Sequence, residues 1–210
     1  MLADGRIEVE GVAVRRVVPD VAVWQARVTA VAAERRVAFA EASERATAVL
    51  AAVREAAGAS GETWAEGIGV GPRWEPGKRR PSGWEASGRV GVRTDLAGAD
   101  AAGQAALDAG AETLDGPYFE IAGERAIRDE LLAEAVHAAR ARAEAMAAAA
   151  DRRLGAAVAL TDNPRRGSAP PEYPMARMAL SMSESDAPPP VAPEGTDLEV
   201  RVLVRFELVG

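Results

Sequence analysis

The sequence has no cysteine, one histidine and one lysine, and each shortage narrows the chemistry that it can perform. Without cysteine there is no disulfide, no thiolate nucleophile and no cysteine-ligated metal site. Because His137 is the one histidine, a zinc or iron site built on several imidazoles is excluded as well. Carboxylates are plentiful, but no pair stands in an apolar stretch that would separate the two pKa values. We therefore predict no catalytic, cofactor-binding or metal-binding residues, and no enzyme.

The chain also lacks long apolar runs and a positive net charge. No run reaches the roughly 18 residues of a membrane-spanning helix. The opening MLADGRIEVEG has neither the basic start nor the apolar core of a signal peptide. A net charge of −7 argues against a general nucleic-acid binder, which would show a basic face. We expect no transmembrane segment and a cytoplasmic protein.

The longest helical pattern runs from Glu124 to Gly155. Its apolar residues recur every three or four positions, which predicts one narrow stripe that faces a core. The predicted stripe consists of Leu132, Val136, Ala139, Ala143, Met146, Ala150 and Leu154. Because three of these seven side chains are alanine, the helix axis can lie close to the surface on which it packs.

The elements before this helix predict an α+β fold. The expected order from Val21 is strand, helix, two hairpin strands, short helix and strand, the split βαβ arrangement of ferredoxin-like folds. We expect an antiparallel or mixed sheet with this core covered by helices, and the long third helix on the same sheet. A strand over residues 6–14 precedes the core, and C-terminal strands over 156–161 and 198–208 follow, the first of them of a buried type.

A length of 210 residues suits one domain over residues 1–210. Residues 163–195 hold eight of the thirteen prolines and three methionines at helical spacing, Met175, Met178 and Met182. A composition of this kind does not bury a core. We predict a flexible loop there, with no regular structure except one turn of helix around the methionines.

The hairpin over residues 63–93 is the most informative pattern before the long helix. If Trp74 pairs with Trp84 across the turn EPGKRRPSG, alternation places the large apolar residues on one face. That face consists of Trp64, Ile68, Val70, Trp74, Trp84 and Val90. The glycines at 67, 69 and 71 share the other face, where they favour close approach of another backbone over a phosphate loop, which needs a strand-to-helix turn.

Two groups of residues are candidates for a functional site. Glu134 and His137 have the i, i+3 spacing of carboxylate-bridged metal sites, but a solvated histidine fits a solitary imidazole on a polar helix face better. The second group is the hairpin tip, where Trp74 and Trp84 lie beside the basic run of residues 78–80. We predict an interface formed by Trp74, Arg79, Arg80 and Trp84. A plain solvated turn, or contact with membrane or nucleic acid, are the alternatives.

Several stretches together resemble one known family. They are IEVEG at residue 7, VVPDVAVWQARV at residue 17, the aromatic hairpin, LDGPYFEI at residue 114, LLAEAVHAARARAEAMAAAADRRLG at residue 131 and PEGTDLEVRVLVRFEL at residue 193. Their order and spacing resemble the SIMPL-domain family of bacterial envelope proteins and an animal signalling adaptor. The resemblance implies an α+β fold, self-association and no established catalytic residues. It also makes a periplasmic location the alternative to a cytoplasmic one.

We therefore expect a non-enzymatic scaffold that forms homo-oligomers or binds a protein partner. The alternative function is a peripheral module that touches membrane or nucleic acid through the tryptophans and arginines of the hairpin tip.

Overall fold

A computed structural model describes residues 5–162 and 193–210 of the chain. The elements in chain order are β1 (Gly5–Val17), β2 (Val21–Ala32), α1 (Arg35–Ala57), β3 (Glu62–Ala65), β4 (Gly69–Arg73), β5 (Gly83–Asp95), α2 (Ala99–Asp108), β6 (Thr113–Glu120), α3 (Glu124–Ala149), β7 (Arg153–Asp162) and β8 (Thr196–Val209). The α+β class and the antiparallel strand pairing predicted from the sequence are confirmed. The predicted flexible loop and its methionines lie almost entirely outside the described residues.

The chain divides into two compact units. The central unit is Asp20–Ala122, and the terminal unit combines Met1–Pro19 with Gly123–Gly210. Each unit has its own sheet, whereas we expected one sheet to carry all three helices. The expectation of one domain over residues 1–210 stays a prediction.

The terminal unit is a three-stranded antiparallel sheet in the order β1-β8-β7, with α3 packed on it. Val9 lies opposite Val204, and both are buried on the face toward the helix. Gly11 on β1 makes the close approach possible, because a Cβ there would lie 1.9 Å from the carbonyl oxygen of Ala135. The helix buries the column Leu131, Ala135, Ala139, Ala143 and Ala147.

Three expectations for this unit are wrong. The buried column of α3 is offset from the predicted stripe, and Met146 is 48% exposed. The side of α3 that contacts β1 carries mostly alanine, because only small side chains allow the close approach. The predicted stripe included larger side chains. α3 packs on this sheet rather than on that of the split βαβ core. β7 is an edge strand with mostly exposed residues, and not the buried strand that we expected.

The central unit has a five-stranded sheet in the order β3-β5-β2-β6, with β4 also paired to β5. Helix α1 packs on β5 and β2, and α2 contacts β2 and β6. The buried residues of α1 recur every three or four positions and include Ala38, Ala42, Ala46, Val49 and Val53. Trp24 fixes α2 by donating its indole N–H to the carbonyl oxygen of Ala99 over 2.8 Å. The ferredoxin-like description of this unit stays a prediction.

Side chains on β2 and β5 separate into two faces. The core face includes Ala26, Val28, Val90 and Val92, which are buried against α1 and α2. The residues between them on each strand point to the opposite side, which we call the open face. On β2 and β5 the open face carries Arg27, Thr29, Glu85, Ser87, Arg89 and Arg93.

Candidate interaction site at the hairpin end and on the open face

The hairpin of β4 and β5 ends in a turn over residues 74–82. Its register runs from Gly69 opposite Ser87 to Arg73 opposite Gly83. The predicted pairing of Trp74 with Trp84 is wrong by two residues, because Pro72 occupies the place opposite Trp84. A shift of two preserves the faces. Val70, Trp84 and Val90 therefore share the core face, as predicted.

Trp64 and Trp74 depart from the prediction that all six apolar residues share one face. Trp64 lies opposite Gly91, where a Cβ would come within 2.1 Å of the indole ring, so Trp64 is on the open face. The physical reason is an extra residue: from Ala65 to Gly69 the chain advances four positions, while the partner strand advances three, from Val90 to Ser87. One inserted residue reverses the face, as a β-bulge does.

Trp74 borders the open face as well. Together with Gly69, Gly71, Pro72, Arg73, Glu85 and Ser87 it lines a shallow groove of about 330 Å³. The ring is 60% exposed, the highest exposure among the large apolar residues of the described chain. Trp84 is not among the residues that line this groove, so the two rings do not form the single aromatic pair that we expected.

Trp84 is part of the fold rather than part of a free surface. It is half-buried and packs against the buried cluster of Ala30, Ala38, Ala42 and Ala86. The guanidinium of Arg35 lies 5.8 Å from the centroid of its ring, within the range of a cation–π contact. Of the four predicted interface residues, Trp84 is therefore the one whose position is explained by internal packing.

The basic residues at the turn differ in how they are compensated. Lys78 forms an ion pair with Glu75 over 2.6 Å. This hydrogen bond, followed by one from Ser82, lowers the pKa of the Glu75 carboxyl below its ordinary value. Arg79 and Arg80 are exposed, and neither forms an ion pair with any described residue. The structure thus brings Trp74, Arg79 and Arg80 together on one exposed turn.

Internal packing does not explain Gly71 of β4, or Gly67, which lies two residues before β4. A Cβ at Gly67 or Gly71 would meet no atom within 4 Å, and neither residue has a positive φ. No backbone of the described chain therefore takes the close approach that we predicted for this row.

The Glu134 carboxylate, one of the two candidate metal ligands, is bonded to an arginine. Glu134 accepts a hydrogen bond from Arg15 over 2.5 Å, and Glu130 accepts another from the same guanidinium over 2.6 Å. These bonds raise the pKa of Arg15, with Glu130 the larger cause. His137 is exposed. Among residues 5–162 and 193–210, no cluster of three or more histidine, aspartate or glutamate side chains could hold a metal ion.

Sequence reasoning missed one feature of the open face. Arg27 on β2 lies directly opposite Arg89 on β5. The alternating pattern places each arginine on the polar side of its own strand, but the pattern carries no information about which residues of two distant strands face each other.

Among the helices of the described chain, none has the length and apolar character needed to cross a membrane.

Comparison with known proteins gives one family match. The SIMPL family model, described as a protein of unknown function (DUF541), matches residues 7–206. No curated protein matches the chain significantly. A solved structure entitled "The crystal structure of AtUAH in complex with glyoxylate" is 12% identical, covers 51% of this chain and 30% of its own, and has a TM-score of 0.34. A similarity at that level supports no argument about fold or function.

Proposed function

This chain belongs to the SIMPL family, whose function is unknown, and from this premise we propose that it is a non-enzymatic scaffold that self-associates through its hairpin end. The observation that carries the proposal is the exposure of Trp74 beside Arg79 and Arg80. A large exposed aromatic ring on a turn that carries two arginines has the composition of an interface centre with a polar rim.

The energy available at this site is sufficient to matter. A tryptophan buries 150–250 Å² when fully covered, so covering the exposed part of Trp74 removes roughly 120 Å² from water. At about 25 cal/mol per Å², this contributes about 3 kcal/mol per ring before association entropy is subtracted. In a twofold interface the same patch is used by both copies, so the contribution doubles.

Because the turn is positively charged, added salt should affect self-association and the binding of an acidic partner in opposite ways. Arg73, Lys78, Arg79 and Arg80 outnumber Glu75 and Glu85 around the ring. If two hairpin ends meet, their positive charges repel, and added salt strengthens association by screening. If an acidic partner protein binds instead, added salt weakens binding.

The test is light scattering coupled to size-exclusion chromatography on wild type, Trp74→Ser and Phe39→Ser. Phe39 is the matched control, because it is an aromatic residue of the same unit and is 47% exposed. We expect wild type and Phe39→Ser to form the same oligomer at tens of micromolar, and Trp74→Ser to be monomeric. A wild type that stays monomeric would refute self-association.

If Trp74→Ser and wild type form oligomers of equal mass, only the assignment of the interface fails. The exposed Val158 and Leu160 on the edge strand β7 are then the next candidates. A cytoplasmic location belongs to the same proposal. Contact with membrane or nucleic acid is not favoured by any feature of the described residues, and it would be detected as binding to anionic vesicles or to DNA that Arg79→Gln weakens.

A further inference from the structure

The two opposed arginines of the open face are the starting point. Arg27 and Arg89 are direct partners in the antiparallel pairing of β2 and β5. Directly opposite residues have Cβ atoms about 4.5–5.5 Å apart and project to the same face. Two guanidinium groups therefore rise from neighbouring points on the face opposite α1. Both residues are exposed.

The positive charge of this pair is poorly compensated. Arg89 approaches Glu66 at 3.7 Å, which is too long for a hydrogen bond. Arg27 forms no ion pair or side-chain hydrogen bond within the described ranges. Arg93, on the same strand and face as Arg89, is compensated by contrast, because it donates a hydrogen bond to Glu120 over 2.9 Å. Glu66 is thus the one acid of the described residues within 4 Å of the Arg27–Arg89 pair, although opposed like charges destabilise a sheet.

Both arginines line one groove. It has a volume of about 220 Å³ and is lined by Arg27, Glu66, Gly67, Ser87, Gly88 and Arg89. The Ser87 hydroxyl adds a neutral donor, and no side chain at Gly67 closes the groove. The lining therefore combines two guanidinium groups and a hydroxyl with one carboxylate, that of Glu66, so its net charge is positive.

We propose that this groove binds a small oxyanion, a phosphate or carboxylate group, between Arg27 and Arg89. Each guanidinium has a planar set of donors that matches two oxygens of such a group. The bound anion supplies the negative charge that the chain itself lacks at this position, and it removes the repulsion between the two arginines. The site lies on the strands and not on the turn, so it does not depend on the proposed self-association.

The test measures thermal unfolding and isothermal titration with inorganic phosphate and with citrate, each against sodium chloride of the same ionic strength. The variants are Arg27→Gln and Arg89→Gln, with Arg36→Gln as the control, since Arg36 is an exposed arginine on α1. We expect phosphate or citrate to raise the Tm of wild type and of Arg36→Gln above the value in sodium chloride. Each groove variant should weaken binding at least tenfold, the loss of one charge-assisted hydrogen bond.

The anion-free protein gives a second readout with the opposite sign. Arg27→Gln should raise the Tm without anion, because it removes a like-charge contact, while it abolishes the rise caused by the anion. A purely structural arginine would lower the Tm when replaced. The response to phosphate against citrate identifies which oxyanion the groove prefers.

Three results would overturn the proposal. The first is an equal Tm in sodium chloride, phosphate and citrate, which would reduce the effect to screening. The second is an unchanged anion response in Arg27→Gln. The third is a lower Tm of anion-free Arg27→Gln, which would show that Arg27 has an internal partner.

Discussion

The two sheets differ in how the charged side chains on their helix-free faces are paired. On the face of β1 and β8 away from α3 in the terminal unit, Glu8 pairs with Arg205 at 2.6 Å, and Arg201 donates a hydrogen bond to Glu199. In the central unit, the open face leaves Arg27 opposite Arg89 with one distant acid. The first surface satisfies its own charges and the second does not. We infer that the terminal sheet mainly supports the fold, while the open face and the hairpin end are available for binding.

Two strand glycines, Gly11 and Gly71, show a similar contrast. Gly11 of the terminal sheet is required, because α3 occupies the space where its side chain would be. Gly71 of the central sheet faces empty space. A strand glycine without an internal reason lowers stability relative to residues that prefer strands. The open space at Gly71 is therefore maintained at some cost to the fold.

The largest expected effect tests the glycine comparison. Gly11→Val forces a side chain into the backbone of α3, and overpacking of this kind costs about 3 kcal/mol or more. Gly71→Val, the matched change on β4, should stay within about 0.5 kcal/mol of wild type. Urea unfolding followed by circular dichroism measures both. Equal loss of stability in the two variants would remove the distinction between a filled and an open glycine.

A smaller effect of opposite sign tests the charge comparison. Arg205→Gln removes the partner of Glu8, and because both side chains are nearly half exposed, we expect a loss of about 0.5 kcal/mol. Arg27→Gln removes one of two opposed like charges, and we expect a gain of roughly 0.5 kcal/mol. The same urea titrations at low salt measure both. If both variants lose stability, the open face is internally satisfied after all.

The smallest expected effect concerns pH at the hairpin tip. The hydrogen bond from Lys78, and then that from Ser82, lower the pKa of Glu75 in the folded state. The carboxylate therefore stabilises the tip at pH above its ordinary pKa, and this contribution is lost as pH falls through the lowered value. We expect wild type and Glu75→Gln to differ slightly in Tm at neutral pH and to converge in acid. A difference that grows in acid would contradict this sign.

Helical periodicity and strand alternation in the sequence predict the features that depend on residues close together in the chain. The buried stripe of α1 follows from its 3.6-residue period. The core-facing positions Val70, Trp84 and Val90 follow from alternation along the strands. For α3 the period was correct, but the buried column was offset, because the sequence does not show that Gly11 of β1 draws the alanine side inward.

Long-range pairing could not be predicted in the same way. The opposition of Arg27 and Arg89 depends on how β2 and β5 align across some sixty residues of intervening chain. The extra residue between β3 and β4 reversed Trp64, and alternation alone gives no signal for such an insertion. The interface of Trp74, Arg79, Arg80 and Trp84 stays a prediction, whereas the pairing of Trp74 with Trp84 was wrong, because Pro72 lies opposite Trp84.

Hydrogen–deuterium exchange at high and low protein concentration tests the central claim most directly, because it locates the contact region without any mutation. We predict that the backbone amides of residues 69–87 gain protection in the concentrated sample. The amides of β1 and β8 should exchange at the same rate in both samples. Protection gained on β1, β8 or β7 in place of residues 69–87, or no change with concentration, would contradict the assignment of binding to the central unit.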